Sequence, residues 1–230
     1  KSKQEEDRIM AKEVQCLKKK LSPLSPGANN PLQSKRKSKE FLVRLLYVEM
    51  LGHDASFGYI KAVEMAASAS LYHKRTGYLV CSACLSPDHE FRFMLVNQMQ
   101  RDMQSANVLE ICGGVIAATN LITSDMVPAL SGEVSKLINH ESSSVRKKAI
   151  IALHRFFQLA PDVVSSEELM EKAKKVLCDR DPSVMGSCLN VIEDMAKRNP
   201  VEIKPLIPSL VSILKQISER RLPEEFTYHR

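Results

Sequence analysis

The chain has 230 residues, 33 of them basic and 27 acidic, for a net charge of +6, with 44% apolar and 26% charged residues. That composition excludes a disordered chain, a collagen and a disulfide-dense miniprotein, and it supplies enough apolar material for a sizeable core. The longest stretches without Asp, Glu, Lys or Arg, Leu21–Ser34 and Ile111–Ser124, run 14 residues, short of the about 20 that a spanning helix needs. Only 8 Gly and no Trp occur, and long runs of Leu, Ala, Lys, Glu and Met favour helix. No alternating β-branched run reads as a strand. The expected fold class is all-α.

In chain order, residues 1–21 read as an N-terminal helix. Met10, Val14, Leu17 and Leu21 form a narrow stripe on an otherwise charged cylinder, so this helix needs a partner or the body of the protein to pack on. It has no apolar signal-peptide core, so secretion is not expected and the 6 Cys are expected as free thiols. Residues 22–39 read as a Pro-rich loop, Ser22–Pro31, followed by a basic cluster of Lys35, Arg36, Lys37 and Lys39. Phe41–Leu51 is apolar on nearly every side and is expected to be deeply buried, with Gly52 as its left-handed cap.

Residues 40–230 then repeat. Val145, Ala149, Ala152, Leu153 and Phe156 share their spacing with Val184, Cys188, Val191, Ile192 and Met195. Val108, Cys112, Val115, Ile116 and Thr119 follow suit, and weaker copies start at His73 and Ser38. Second helices are expected between them, at Ser56–Ala67, Asp88–Gln104, Ser124–Ile138, Ser165–Leu177 and Val201–Ser218. Ser124 and Ser165 suit N-caps, the latter with Glu168 in capping-box position. A helical hairpin of 35–39 residues, repeated about five times, predicts an α-solenoid of HEAT or armadillo type. Leu222–Arg230 lacks the polar cap such an array needs, which predicts that the solenoid continues.

Recognisable catalytic chemistry does not emerge. No dinucleotide, P-loop or nucleophile-elbow motif occurs, and His89-Glu90 lacks the second histidine of a zinc-peptidase pair. Cys81-Ser-Ala-Cys84 has no second pair for zinc and no strand context for redox work. At repeat positions held elsewhere by Leu153 and Phe156, these cysteines read as small core residues. The histidines show no ligand spacing and read as loop or surface groups. Arg146-Lys147-Lys148 falls on outward positions, either a solvated face or an anion contact. Lys18, Lys19, Lys20 and the Lys35–Lys39 cluster flank one segment without interleaved aromatics. That arrangement serves solubility or, functionally, an anionic lipid headgroup rather than nucleic acid.

Glu49-Met-Leu-Gly-His-Asp-Ala-Ser-Phe-Gly-Tyr-Ile60 resembles the trunk of the large adaptin subunits of clathrin-type adaptor complexes. Lys74–Leu79, Val145–Ala149, Leu177–Met185, Ile213–Ile217 and Leu222–His229 extend the resemblance. It implies a non-enzymatic α-solenoid scaffold without cofactor or metal. It implies beta, mu and sigma subunits as partners, no nucleic acid, and a cytoplasmic location peripheral to trans-Golgi or endosomal membranes in vesicle-mediated transport. It also implies a site for a GTP-bound Arf-type GTPase at Ile60, Val63 and Met94, and a phosphoinositide contact at Lys35, Arg36, Lys37 and Lys39. The alternative is a generic HEAT scaffold, such as a nuclear transport receptor or a phosphatase regulatory subunit. Two features depart from the family pattern: the long Pro-rich loop, and Gly113-Gly114 inside a repeat helix, which implies softness or close helix approach.

Overall fold

The computed structural model describes residues 3–22, 31–219 and 221, with residues 31–35 described by their backbone alone. The chain divides into two compact units, Lys1–Met126 and Val127–Arg230. The first contains α1 (Lys3–Leu21), α2 (Pro31–Met50), α3 (Tyr59–Ala66), α4 (Leu71–Cys84), α5 (Phe91–Met103) and α6 (Val108–Leu121). The second contains α7 (Val127–Leu137), α8 (Ser143–Leu159), α9 (Ser166–Leu177), α10 (Pro182–Arg198), a short α11 (Pro200–Ile203) and α12 (Ile207–Ser218). No strand occurs among the described residues, and the all-α repeat of helical hairpins is as expected.

In the first unit α2, α4 and α6 form one layer, α3 and α5 pack behind them, and α1 lies on α2. The buried faces of α4 and α6 carry small residues where helices come closest. A Cβ at Gly77 would collide with the backbone nitrogen of Ala66 on α3, and one at Gly114 would sit 2.9 Å from Asp102 Cβ on α5. The close-approach reading of the glycine pair therefore belongs to Gly114 alone, since a Cβ at Gly113 would meet nothing within 4 Å. α2 ends in a Schellman motif: Gly52, at φ +83°, donates to Glu49 O at 2.9 Å, and His53 donates to Val48 O at 3.1 Å, satisfying two terminal carbonyls.

In the second unit α8 and α10 pack together, with α7 and α9 alongside. Val145, Ala149, Ala152, Leu153 and Phe156 are buried, and so are their counterparts Val184, Cys188, Val191, Ile192 and Met195. Ser165 caps α9 by accepting from the Glu168 amide at 3.1 Å. The Glu168 side chain does not close the box but accepts from Ser135 on α7 at 3.1 Å.

Four expectations need correction. The copy starting at Val108 is out of phase: Ile116 is exposed while Ile111, Cys112, Val115 and Ala118 are buried. Residues 110–122 match α8 at a separation of 35 rather than 37, because α6 is apolar on most sides and Gly114 must face α5. Phe41–Leu51 buries only Leu42, Leu45 and Val48, leaving Tyr47, Met50 and Leu51 exposed. The basic cluster lies inside α2, which begins at Pro31, a residue well tolerated at a first helical position. The expected helix Val201–Ser218 is interrupted by a 3-10 turn at Lys204–Leu206, where Pro205 and Pro208 cannot donate to the ladder.

Candidate interaction surfaces

The basic surface is built by α1 and α2. Arg44 on α2 forks onto Glu13 of α1, with Nε donating at 2.7 Å and Nη2 at 2.6 Å. The Glu13 hydrogen bond raises the Arg44 guanidinium above its ordinary basicity against the opposing effect of burial. This docking seats Lys20 Nζ 4.9 Å from the Phe41 ring centre and Lys18 Nζ 5.1 Å from that of Phe57. Phe41 is one turn from Lys37 on α2, so the lysines ending α1 join the cluster on α2. Arg36 and Lys37 are exposed. Lys39 is half-buried, with Nζ 5.8 Å from the centre of the Tyr72 ring on α4. The Lys35 side chain lies outside the described residues.

The apolar trio divides. Ile60 on α3 is 36% exposed and Met94 on α5 is 54% exposed, as is neighbouring Phe93, but Val63 is 8% exposed. α3 buries Ala62, Val63 and Ala66, packing on α4 and α5. Residues three apart on a helix point about 60° apart, enough to put Ile60 on the rim and Val63 in the core. Val63 is thus corrected from a surface residue to a core one.

The remaining polar groups are structural. Burial pushes the Cys81 thiol up to about 12 and Cys84 to about 11, and Cys188 lies at about 12. Unreactive core thiols follow, although Cys84 is only half-buried. No cluster of three or more His, Cys, Asp or Glu could hold a metal among the described residues. Arg146 is not outward but buried, gripping Asp179 at 2.6 and 2.8 Å and donating to His140 O and Glu141 O. His89, His140 and His154 hold local structure, whereas His73 Nδ1 is buried without a hydrogen-bond partner. His154 Nε2 meets Asp194 Oδ2 at 2.8 Å, and His140 Nδ1 accepts from the Ser142 amide at 3.0 Å. His229 lies outside the described residues.

A buried network in the first unit has no counterpart in the sequence reading. Lys74 Nζ on α4 donates to Asp102 Oδ1 at 2.6 Å and lies 3.6 Å from Glu110. Tyr78 donates to Asp102 Oδ2 at 2.7 Å and Gln98 to Oδ1 at 2.7 Å. Burial, then the Asp102 hydrogen bond, pushes the Tyr78 phenol above its ordinary range. The available signal was positional: Lys74 and Arg146 each stand one residue after a repeat start, His73 and Val145.

The family model for the adaptin N-terminal region matches residues 8–226. The chain is 46% identical over 229 residues to the AP-4 complex subunit epsilon of Arabidopsis thaliana, covering 100% of this chain and 24% of that protein. It is 39% identical over 228 residues to the AP-4 complex subunit epsilon-1 of Homo sapiens, covering 99% of this chain and 19% of the relative. A structure described as a homology model of the full-length AP-3 complex in an intermediate open conformation superposes with a TM-score of 0.67 at 26% identity. That match covers 79% of this chain and 32% of the other. The chain spans about a fifth to a quarter of the length of these curated relatives.

Proposed function

The chain belongs to the adaptin family, and on that premise we propose that it is the N-terminal trunk of a large, epsilon-class subunit of an AP-4-type adaptor complex. It acts as a non-catalytic scaffold in vesicle-mediated protein transport, assembled with beta, mu and sigma subunits. It works peripherally on trans-Golgi or endosomal membranes. The observation that carries this reading is the 46% identity to an epsilon subunit across 229 residues. The absence of a long apolar helix among the described residues agrees with recruitment rather than spanning.

Recruitment uses two weak contacts in concert. A GTP-bound Arf-type GTPase covers the exposed side chains of Ile60 and Met94, with Val63 as buried backing. Exposed branched and thioether side chains on helices that pack directly, α3 and α5, support this surface. The cluster of Lys35, Arg36, Lys37 and Lys39, joined by Lys20, meets a phosphoinositide headgroup. The scaffold reading is tested by purifying the full-length chain: a stoichiometric four-chain complex is expected, and a single-chain binder of nuclear cargo would refute it. In the same preparation, Ile60→Glu with Met94→Glu should reduce pull-down on Arf loaded with a non-hydrolysable GTP analogue, with helicity intact by circular dichroism. Undiminished nucleotide-dependent binding removes these residues from the site.

A further inference from the structure

Ser22 stands where α1 stops. Leu21 is the last helical residue, and Ser22 bends out of the helix into Pro23. Proline disfavours helical backbone in the residue before it and pushes that residue towards an extended form. The Ser-Pro step therefore ends the helix and presents its hydroxyl on the kind of backbone a protein kinase holds at its acceptor. α1 buries only Met10, Leu17 and Leu21, so its last turn opens more readily than the core helices do.

Packing sets the surroundings of this hydroxyl. Leu21 is buried, and its Cδ1 lies 3.3 Å from where a Gly58 Cβ would stand, so the chain leaves α1 at the edge of the basic surface. Lys18, Lys19 and Lys20 form the last turn of α1 and are exposed. Lys20 reaches the Phe41 ring on α2, which ties that turn to the cluster at Arg36 and Lys37. Ser22 is half-buried beside it. Between Glu13 and Glu40 the chain has basic residues but no acidic one, so this segment gains negative charge only by modification.

We propose that Ser22 is the acceptor of a proline-directed protein kinase and that its phosphate switches off the basic surface. Ser22 Oγ bonds to the γ-phosphorus of ATP as the bond from that phosphorus to the β-phosphate oxygen breaks. ADP leaves, and the hydroxyl proton passes to a carboxylate of the kinase. The new group carries about −1.5 to −2 charge at neutral pH, which offsets about two of the neighbouring lysines and weakens attraction to an anionic bilayer. Release from lipid rests on the phosphoinositide reading above, whereas the cancellation of charge does not.

The test treats the full-length chain with a cyclin-dependent kinase and ATP and maps phosphate by mass spectrometry of proteolytic peptides. Transfer to Ser22 is expected, and its loss in Pro23→Ala. The phosphorylated chain should leave heparin, a lipid-free polyanion, at lower salt than the untreated chain. Its sedimentation with vesicles containing phosphatidylinositol 4-phosphate should weaken roughly tenfold at low salt. Kinase-treated Ser22→Ala should keep both properties of the untreated chain. No phosphate on Ser22, transfer indifferent to Pro23→Ala, unchanged elution from heparin, or a shift that persists in Ser22→Ala overturns the proposal. Earlier elution from heparin, with neither form binding vesicles, upholds the switch and refutes the phosphoinositide reading instead.

Discussion

At Gly77 two helices touch with no side chain between them. The position is in the interior of α4, where alanine would ordinarily be the better residue, but a Cβ there would strike Ala66 N and lie 2.7 Å from Ala66 Cα and 2.8 Å from Ala62 O. These are backbone atoms of a packed helix and cannot swing aside. Gly77→Ala is therefore expected to destabilise by about 2–3 kcal/mol through overpacking, read as a lowered thermal midpoint of the full-length chain. A neutral or higher midpoint would mean that α3 and α4 separate without cost. The sequence could not distinguish Gly77, Gly113 and Gly114, because the requirement for glycine is set by the neighbouring helix and not by the residue's own. Ile60 and Val63 show the same limit: both are aliphatic on one helical face, and only the position of α4 and α5 decides which one water reaches.

Among the elements, α8 and α10 were the most legible, since polar residues frame their apolar stripes and fix the phase. α6 was the least, because Leu109 and Ile116 remain apolar on the exposed side and blur the stripe. The link from α8 to the Asp179–Asp181 turn was illegible for another reason: its buried charges look like surface ones. Burial pulls the Asp179 carboxyl upward, but hydrogen bonds from Arg146 and the Asp181 amide outweigh it and its pKa falls below the ordinary 3.8. Asp181 is also lowered, its hydrogen bonds with Ser143 and Ser183 overcoming burial. A carboxyl depressed by folding adds stability above its unfolded pKa, and that stability is lost as pH falls through the folded pKa. The thermal midpoint of the unit Val127–Arg230 should thus hold near neutrality and drop below about pH 4. Arg146→Gln would leave the half-buried Asp179 carboxylate with the Asp181 amide but no cation, costing about 1–3 kcal/mol at neutral pH and flattening the acid slope. An unchanged slope would show that Asp179 titrates alike in both states.

For the molecule as a whole, the basic surface is the feature that composition and charge runs disclosed best, and tertiary packing completed it by carrying Lys20 to Phe41. Each Lys or Arg near an anionic bilayer contributes about 1 kcal/mol, so the cluster serves as one of several simultaneous contacts. Changing Lys35, Arg36, Lys37 and Lys39 together to Glu should weaken sedimentation with vesicles containing phosphatidylinositol 4-phosphate and abolish its salt dependence. Unchanged sedimentation would assign the cluster to solubility alone.

The polar contacts between helices share a spacing. Lys74 reaches Asp102, Arg146 reaches Asp179, Ser135 reaches Glu168, Ser166 reaches Glu202 and His154 reaches Asp194, over 28, 33, 33, 36 and 40 residues. Each bond ties one hairpin to the next, and the five use four different chemical pairs: Lys–Asp, Arg–Asp, His–Asp and, twice, Ser–Glu. The copies are therefore not interchangeable beads. Excising or duplicating the copy that carries Lys74 or Arg146 by recombination would strand a buried cation against a mismatched neighbour, so those copies cannot be exchanged for the others even where their apolar stripes coincide.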